Sequence, residues 1–81
     1  MKLLKLELIV ENQYGVLNRI TGLYARRGFN IESLKVKPTD EPAISKMTIV
    51  SEADEKSKNK IINQLEKLYD VISVTQIEGK K

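Results

Sequence analysis

Two amphipathic segments with identical spacing, each flanked by strand-like segments, most constrain what this chain can fold into. In the first, the apolar residues fall on one face of a helix and are Val16, Leu17, Ile20, Leu23 and Tyr24. In the second, the same offsets recur at Ile61, Ile62, Leu65, Leu68 and Tyr69. Each predicted helix therefore has one apolar face that must be covered, and the neighbouring strands are the available surface.

Four segments have the composition and alternation of strands. They are residues 3–10, 29–36, 44–51 and 70–77. In the second strand the apolar parity changes between Ile31 and Leu34, which indicates either a bulge or burial on different faces at the two ends. In the third strand we expect Met47 and Ile49 to face the core.

Two loop signals complete the pattern. Residues 38–43 contain two prolines around an acidic pair, which predicts a hairpin loop between the second and third strands. Asp54 is the predicted N-cap of the second helix. The first helix is expected at about residues 15–27, with Gly28 in a left-handed C-cap and Arg26 and Arg27 in the last turn, where cations are favourable.

The element order strand, helix, strand, strand, helix, strand is that of the split βαβ, or ferredoxin-like, arrangement. Right-handed crossovers place both helices on one face of a four-stranded antiparallel sheet with strand order 4-1-3-2. The predicted fold class is therefore α+β. We expect one domain over residues 1–78 and a flexible tail over residues 79–81.

Composition narrows the functional classes. The 81 residues include no cysteine and no histidine, which removes thiol nucleophiles, thiolate metal sites and the commonest general base. Glu11 and Glu32 are the remaining candidates for acid–base chemistry, and without a supporting motif we expect neither catalysis nor a metal site. A domain this small buries only about 60% of its unfolded surface, so association with a second subunit would add useful burial.

Charge and hydropathy point away from nucleic acid and from membranes. The net charge of +3 arises from 14 basic and 11 acidic residues that are interspersed along the chain, and few aromatic residues are available for base stacking. No apolar run approaches the roughly 18 residues that span a bilayer, and no signal-peptide pattern is present. A cytoplasmic location is the expectation.

The turn before the first helix is the candidate site. Asn12 can accept hydrogen bonds from first-turn amides, and Gly15 allows another group to approach the backbone. A helix start offers free N–H groups and a partial positive charge, which suit a carboxylate or a phosphate. Two interpretations stay open from the residues alone: Asn12 caps the helix while Gly15 permits a tight turn, or the turn binds an anion.

The turn is also part of a longer pattern that resembles a known family. It begins with Asn12-Gln13-x-Gly15-Val16-Leu17, continues through Arg-Arg-Gly-Phe-Asn-Ile-Glu-Ser-Leu at residues 26–34, and includes Pro-Thr-Asp at 38–40, Ser-Lys-Met-Thr-Ile-Val at 45–50 and Gln-Leu-x-Lys-Leu-x-Asp-Val at 64–71. The chain resembles, from Leu4 to about Val74, the N-terminal ACT domain of the small regulatory subunit of acetolactate synthase (acetohydroxyacid synthase).

The resemblance implies a function. In that family an amino acid effector, typically valine, binds at this turn with its carboxylate on main-chain N–H groups, and a dimer partner completes the site. Carried over, the effector site comprises Asn12, Gly15 and Val16 of one subunit with Asn30 and Ile31 of the other. The chain would be a homodimeric, non-catalytic subunit that activates a separate thiamine-diphosphate-dependent catalytic subunit and confers feedback inhibition in branched-chain amino acid synthesis, carrying no cofactor itself.

Two departures from the family pattern bear on this reading. Position 14 is Tyr where the wider ACT pattern often has Pro, so the ring could partly cover the site. Longer family members have a second domain after this one, whereas the sequence stops at Lys81. The alternatives are an ACT module that binds another small amino acid and regulates a different enzyme, and a ferredoxin-like nucleic-acid-binding domain if a concentrated basic surface emerges.

Overall fold

The computed structural model describes residues 2–12 and 15–77. Tyr14 and the expected tail over residues 79–81 lie outside the described residues. The elements in chain order are β1 (Lys2–Glu11), α1 (Val16–Arg26), β2 (Ile31–Pro38), β3 (Ile44–Ala53), α2 (Glu55–Glu66) and β4 (Val71–Ile77). The predicted element order is confirmed. The second strand starts and ends two residues later than predicted, because Phe29 and Asn30 belong to the turn that follows α1.

The four strands form one antiparallel sheet in the order β2-β3-β1-β4. This is the predicted order 4-1-3-2 counted from the opposite edge, and both helices pack on one face of the sheet. The two central strands align Leu6 with Ile49, and β2 adds Leu34 opposite the same isoleucine. Since β2 and β4 each have one strand neighbour, they are the edges of the sheet.

The core lies between the sheet and the two helices. Alternate residues of β1 supply one side of it, and Met47 and Ile49 of β3 lie beside them, as predicted. The helices close the other side. The buried hydrophobic residues are Leu4, Leu6, Leu8, Val10, Val16, Ile20, Leu23, Tyr24, Met47, Ile49, Ala53, Ile61 and Leu65.

Two members of the predicted helix faces are not in the core. Leu17 is 41% exposed, and Tyr69 is 77% exposed because it follows the end of α2 in the turn before β4. The parity change in the second strand is explained by its pairing with β3, where the register shifts between Ile31 and Ser33. The sheet therefore uses a bulge, the first of the two alternatives left open by the sequence.

Candidate functional site

The start of α1 is capped by a glycine. Gly15 is the N-cap, its φ of +80° is left-handed, and no side chain among residues 2–12 and 15–77 caps the helix there. The first helical hydrogen bond runs from the Arg19 N–H to the Gly15 carbonyl at 2.9 Å. The prediction that Asn12 caps this helix is wrong, because the cap lies three residues further along the chain. The N–H groups of the first turn have no partner within the helix, so this end of α1 can donate to a bound acceptor.

Space around Gly15 is limited on one side. A Cβ built on this residue would lie 3.4 Å from Nη1 of Arg19, and the left-handed backbone would strain any side chain placed there. Glycine is therefore favoured by the left-handed conformation of the turn, whereas the Arg19 guanidinium is the end of a flexible side chain and could move slightly to admit a Cβ.

Asn12 has a structural role through its main chain. Its N–H donates to the carbonyl oxygen of Ala43 at 2.7 Å, which joins the end of β1 to the hairpin loop between β2 and β3. The residue as a whole is exposed. The backbone of the turn is thus anchored on the hairpin at this point, while the Asn12 side chain is accessible from solvent.

A buried carboxylate, that of Asp70, holds the start of α1 in place from the β4 side of the helix. Asp70 is 1% exposed, and its Oδ2 accepts hydrogen bonds from Nε of Arg19, at 2.8 Å, and from Nη2 of the same guanidinium. The Asp70 carbonyl accepts the N–H of Glu11 at 2.8 Å. The Arg19 guanidinium also lies 5.7 Å from the centroid of the Tyr69 ring, within cation–π distance. One aspartate therefore connects the end of β1, the first turn of α1 and the start of β4.

The other end of α1 is closed by its own backbone. Arg27 is the C-cap, and Gly28 follows with a left-handed φ of +76°, which confirms the prediction for this glycine. The Gly28 N–H donates to Ala25 and the Phe29 N–H donates to Tyr24, at 3.1 and 2.9 Å. This is a Schellman motif, and its usual apolar contact is present as an edge-on packing of the Tyr24 and Phe29 rings with centroids 6.3 Å apart. The motif sets the position from which Asn30 and Ile31 lead into β2.

Tyr24 has no acid–base role near neutral pH. Burial raises the pKa of its hydroxyl to about 12, and the neighbouring Ser51 hydroxyl offsets part of that rise. Neither hydroxyl makes a well-aligned hydrogen bond within the described part of the chain, so the contact between them is weak. The ring serves the core and the Schellman motif.

The predicted effector residues lie in two groups. Asn12, Gly15 and Val16 are at the start of α1, whereas Asn30 and Ile31 are at its far end, and the 11 residues of the helix separate them by about 16 Å. Asn30 is exposed and borders a depression of about 260 Å³ together with Gly28 and Phe29. The five residues therefore do not form one pocket within a single chain.

Other chemistries have little support in the described residues. Glu11 ends β1, while Glu32 lies at the bulge of β2, at the opposite end of the sheet, so the two carboxylates cannot act together. Residues 2–12 and 15–77 contain no group of three or more Asp or Glu side chains arranged to hold a metal ion. No helix within these ranges is long and apolar enough to span a bilayer.

Comparison with known proteins identifies the family. The profile of the AHAS small subunit-like ACT domain matches residues 6–73. The chain belongs to this family. Among solved structures, this ACT domain superposes on the acetolactate synthase small subunit of Thermotoga maritima with a TM-score of 0.88 at 35% identity, covering 96% of this chain and 48% of that one.

Curated relatives agree with the structural match. This ACT domain is 49% identical over 72 residues to the small subunit of acetolactate synthase isozyme 3 of Escherichia coli (strain K12), covering 89% of the chain and 44% of the relative. It is 52% identical over 69 residues to the probable acetolactate synthase small subunit of Archaeoglobus fulgidus, covering 85% of the chain and 43% of the relative. The chain therefore spans less than half the length of these relatives.

Sequence reasoning missed the pair formed by Arg19 and Asp70. The two residues are 51 positions apart, and each stands where a solvated charge is common, one on a helix and one in a turn. The only signal was that Asp70 falls inside the last block of the family pattern, which gave it no role.

Proposed function

We propose that this ACT domain binds valine as a feedback effector and regulates a separate, thiamine-diphosphate-dependent catalytic subunit of acetolactate synthase. The observation that carries the proposal is the start of α1, where a left-handed glycine caps the helix and no side chain of the described residues occupies the first-turn amides. Membership of the acetolactate synthase small-subunit family supports the choice of enzyme, and valine is the effector that the family resemblance implies.

The start of α1 is suited to binding the carboxylate of an amino acid ligand. A carboxylate at a helix start gains about 0.3–1 kcal/mol, or up to about 2 kcal/mol when partly buried. Burial of a valine side chain contributes roughly 1.5–3 kcal/mol. A dissociation constant near 0.1 mM requires about 5.5 kcal/mol, so one open turn falls short and further contacts are needed.

A second copy of the chain can supply those contacts. The outer edge of β2 has no pairing strand among the described residues, and a two-fold axis that pairs two β2 edges antiparallel would extend the sheet to eight strands. Since α1 connects β1 to β2, it lies over the half of the sheet nearer the β2 edge. Pairing two β2 edges would therefore set two α1 helices side by side in opposite directions. The Gly15 turn of one copy then lies near Asn30 and Ile31 of the other.

The side of α1 that faces the β2 edge is suited to such a contact. Arg19 reaches Asp70 on the β4 side of the helix, and Leu17 lies about 200° around the helix from it, toward β2. Leu17 is 41% exposed, and Val36 on β2 is 49% exposed. Both are large apolar side chains that a second copy would cover. Ile72 on β4 is 53% exposed as well, so the β2 edge is chosen because pairing through it brings the Gly15 turn near Asn30 and Ile31 of the other copy.

The test of effector binding is a thermal titration. Valine, leucine and isoleucine are added at millimolar concentration to the chain, whose mass in solution is measured in parallel. We expect a dimer whose melting temperature rises with valine, because a ligand that binds only the folded state stabilises it. The absence of a rise with all three amino acids would contradict the effector assignment, and a rise with a different amino acid alone would favour an ACT module for another enzyme.

The test of the regulatory role is association with the catalytic subunit. The chain is immobilised and exposed to the acetolactate synthase catalytic subunit of its own organism, and synthase activity is measured with and without the chain. We expect binding, and an activity that increases with the chain and decreases when valine is added. The proposal would be contradicted if the catalytic subunit did not bind the chain and its activity did not change when the chain was added.

A further inference from the structure

The face of the sheet opposite the helices collects positive charge that is dispersed in the sequence. Lys5 of β1, Lys35 and Lys37 of β2 and Lys46 of β3 surround Glu7 and line a depression of about 280 Å³. We call these five residues the lysine face. It carries four ammonium groups and one carboxylate, and Glu11 and Glu52 lie at the two far ends of the same side of the sheet.

The register places like charges against each other. Lys37 stands directly opposite Lys46 on the neighbouring strand, an arrangement that is destabilising between adjacent strands. The Lys46 ammonium lies 3.2 Å from Glu7, so the single carboxylate of the lysine face is already engaged. Lys35 and Lys37 are both exposed. An acidic surface placed over them would relieve repulsion that the ion pairs of the described residues do not compensate.

We propose that the lysine face docks an acidic surface of the catalytic subunit of the synthase. This inference rests on the proposed function, because it assigns the surface through which regulation would act. Residues between and beside the lysines are apolar and half-buried, namely Ile9, Val50 and Ile77. Apolar side chains surrounded by polar ones are the general arrangement of a protein–protein interface, and complementary charge adds specificity and speeds association.

Two other occupants fit less well. A second copy stacked on this face would bring lysines onto lysines, and like charges across an interface cost affinity. Nucleic acid would find no aromatic side chain on the described part of this face for stacking, and it would meet Glu7 at the centre. An acidic protein surface satisfies the charge and also covers the apolar residues.

The proposed dimer strengthens the charge argument. If two β2 edges pair, the two lysine faces lie on the same side of one continuous sheet, and Lys35 and Lys37 of both copies are nearest the axis. The combined surface is larger and more positive than that of one chain. A partner that binds across it would gain from both copies, which suits a regulatory dimer.

The experiment compares two double charge reversals of equal size. Lys35→Glu with Lys37→Glu alters the lysine face, whereas Lys56→Glu with Lys60→Glu alters exposed lysines on α2. The single reversal Lys5→Glu alters the lysine face on β1, away from the proposed dimer edge, and serves in place of the β2 variant if that variant no longer dimerises. Affinity for the catalytic subunit is measured for these variants and for the unaltered chain at several salt concentrations. The valine-induced rise in melting temperature and the dimer mass are measured in every chain to verify that the fold and the effector site are intact.

We expect the lysine-face variant to bind the catalytic subunit at least about tenfold more weakly, with a shallower salt dependence, and the α2 variant to stay within about twofold of the unaltered chain. Equal affinity of the two variants would overturn the docking assignment while leaving the proposed function intact. No binding by the unaltered chain would overturn the proposed function itself. If the lysine-face variant still bound the catalytic subunit but had lost the binding to a DNA or RNA oligonucleotide that the unaltered chain shows, the lysine face would be assigned to nucleic acid instead.

Discussion

The two helices of this ACT domain begin in different ways. At α2, Asp54 has an extended backbone, and its Oδ1 accepts the Ser57 N–H at 2.8 Å, so the chain itself occupies the helix start. At α1, Gly15 has a left-handed backbone and no side chain to offer. A glycine N-cap is only roughly a few tenths of a kcal/mol less favourable than a Ser, Thr, Asn or Asp cap, so the difference between the two helix starts costs the fold little. At α1 none of the described side chains serves as a cap, which is the arrangement that the proposed effector site requires.

The two helix starts also differ in the contacts that hold them in place. The α2 start follows directly from β3 and needs only its own cap. The α1 start is positioned by long-range contacts, since Asn12 is bonded to the hairpin and Arg19 to Asp70. A helix start that has no side-chain cap, and whose flanking residues are held by long-range contacts, is preorganised for a ligand, because little conformational entropy is lost on binding.

The largest expected effect is on the anchor of the α1 start. Arg19→Met leaves the Asp70 carboxylate, which is 1% exposed, without its guanidinium. Because the Arg19 side chain is 40% exposed and water screens the pair, we expect a loss of about 2–3 kcal/mol in the free energy of unfolding, below the range for a fully buried pair. Urea denaturation measures it. Arg27→Met, at the exposed end of the same helix, is the control and should change stability by less than about 0.5 kcal/mol.

The next effect concerns the charge at the α1 start. Gly15→Asp and Gly15→Asn have the same shape and share the strain of the left-handed backbone, so they differ only in charge. We expect the Asp variant to bind valine at least about tenfold more weakly than the Asn variant, because a carboxylate there repels that of the ligand. Calorimetric titration of both variants measures the ratio. Equal affinities would show that no ligand carboxylate sits at this helix start.

Removal of the α2 cap should have a smaller effect and should leave valine binding unchanged. Asp54→Ala frees the Ser57 N–H, and we expect the melting temperature to decrease by roughly 5 °C. Asp54→Asn preserves the acceptor and serves as the control. A change in valine affinity in the Ala variant would mean that the two helix starts are coupled, which would contradict their separate roles.

The smallest effect is the pH dependence of the α2 cap. The hydrogen bond from the Ser57 N–H holds the pKa of Asp54 below its ordinary value of 3.8. A carboxyl whose pKa is lower in the folded state stabilises the fold above its unfolded pKa, and that contribution is lost as the pH falls through the folded pKa. The stability difference between the unaltered chain and Asp54→Asn should therefore shift against the unaltered chain below about pH 4. Parallel acid titrations followed by circular dichroism test the sign.

Much of the fold follows from local patterns in the sequence. The equal spacing of the two apolar helix faces and the two prolines of the hairpin loop were sufficient for the element order and the sheet topology. Asp54 and Gly28 were identified because a helix cap depends on the type of one residue and its immediate neighbours. Tyr69 was misplaced because the apolar spacing continues past the point where α2 ends.

The candidate site was harder to predict because it depends on distant contacts. The sequence marked the turn but not which of its residues caps α1, since both Asn12 and Gly15 are suitable there. It gave no sign of the contact between Arg19 and Asp70, which exists only once β4 has packed beside β1. The lysine face was likewise hidden, because its members come from three strands that the sheet brings together.

A mixed dimer tests the central claim most directly, namely that the α1 start of one chain and the β2 start of another form one valine site. Gly15→Asp chains and Asn30→Ala chains carrying different affinity tags are produced together, and the mixed dimer is purified. Each parent homodimer has two defective sites, but the mixed dimer has one doubly altered site and one intact site. We predict that it binds one valine per dimer in a calorimetric titration, with the affinity of the unaltered protein, whereas no recovery of binding would contradict a site shared between chains.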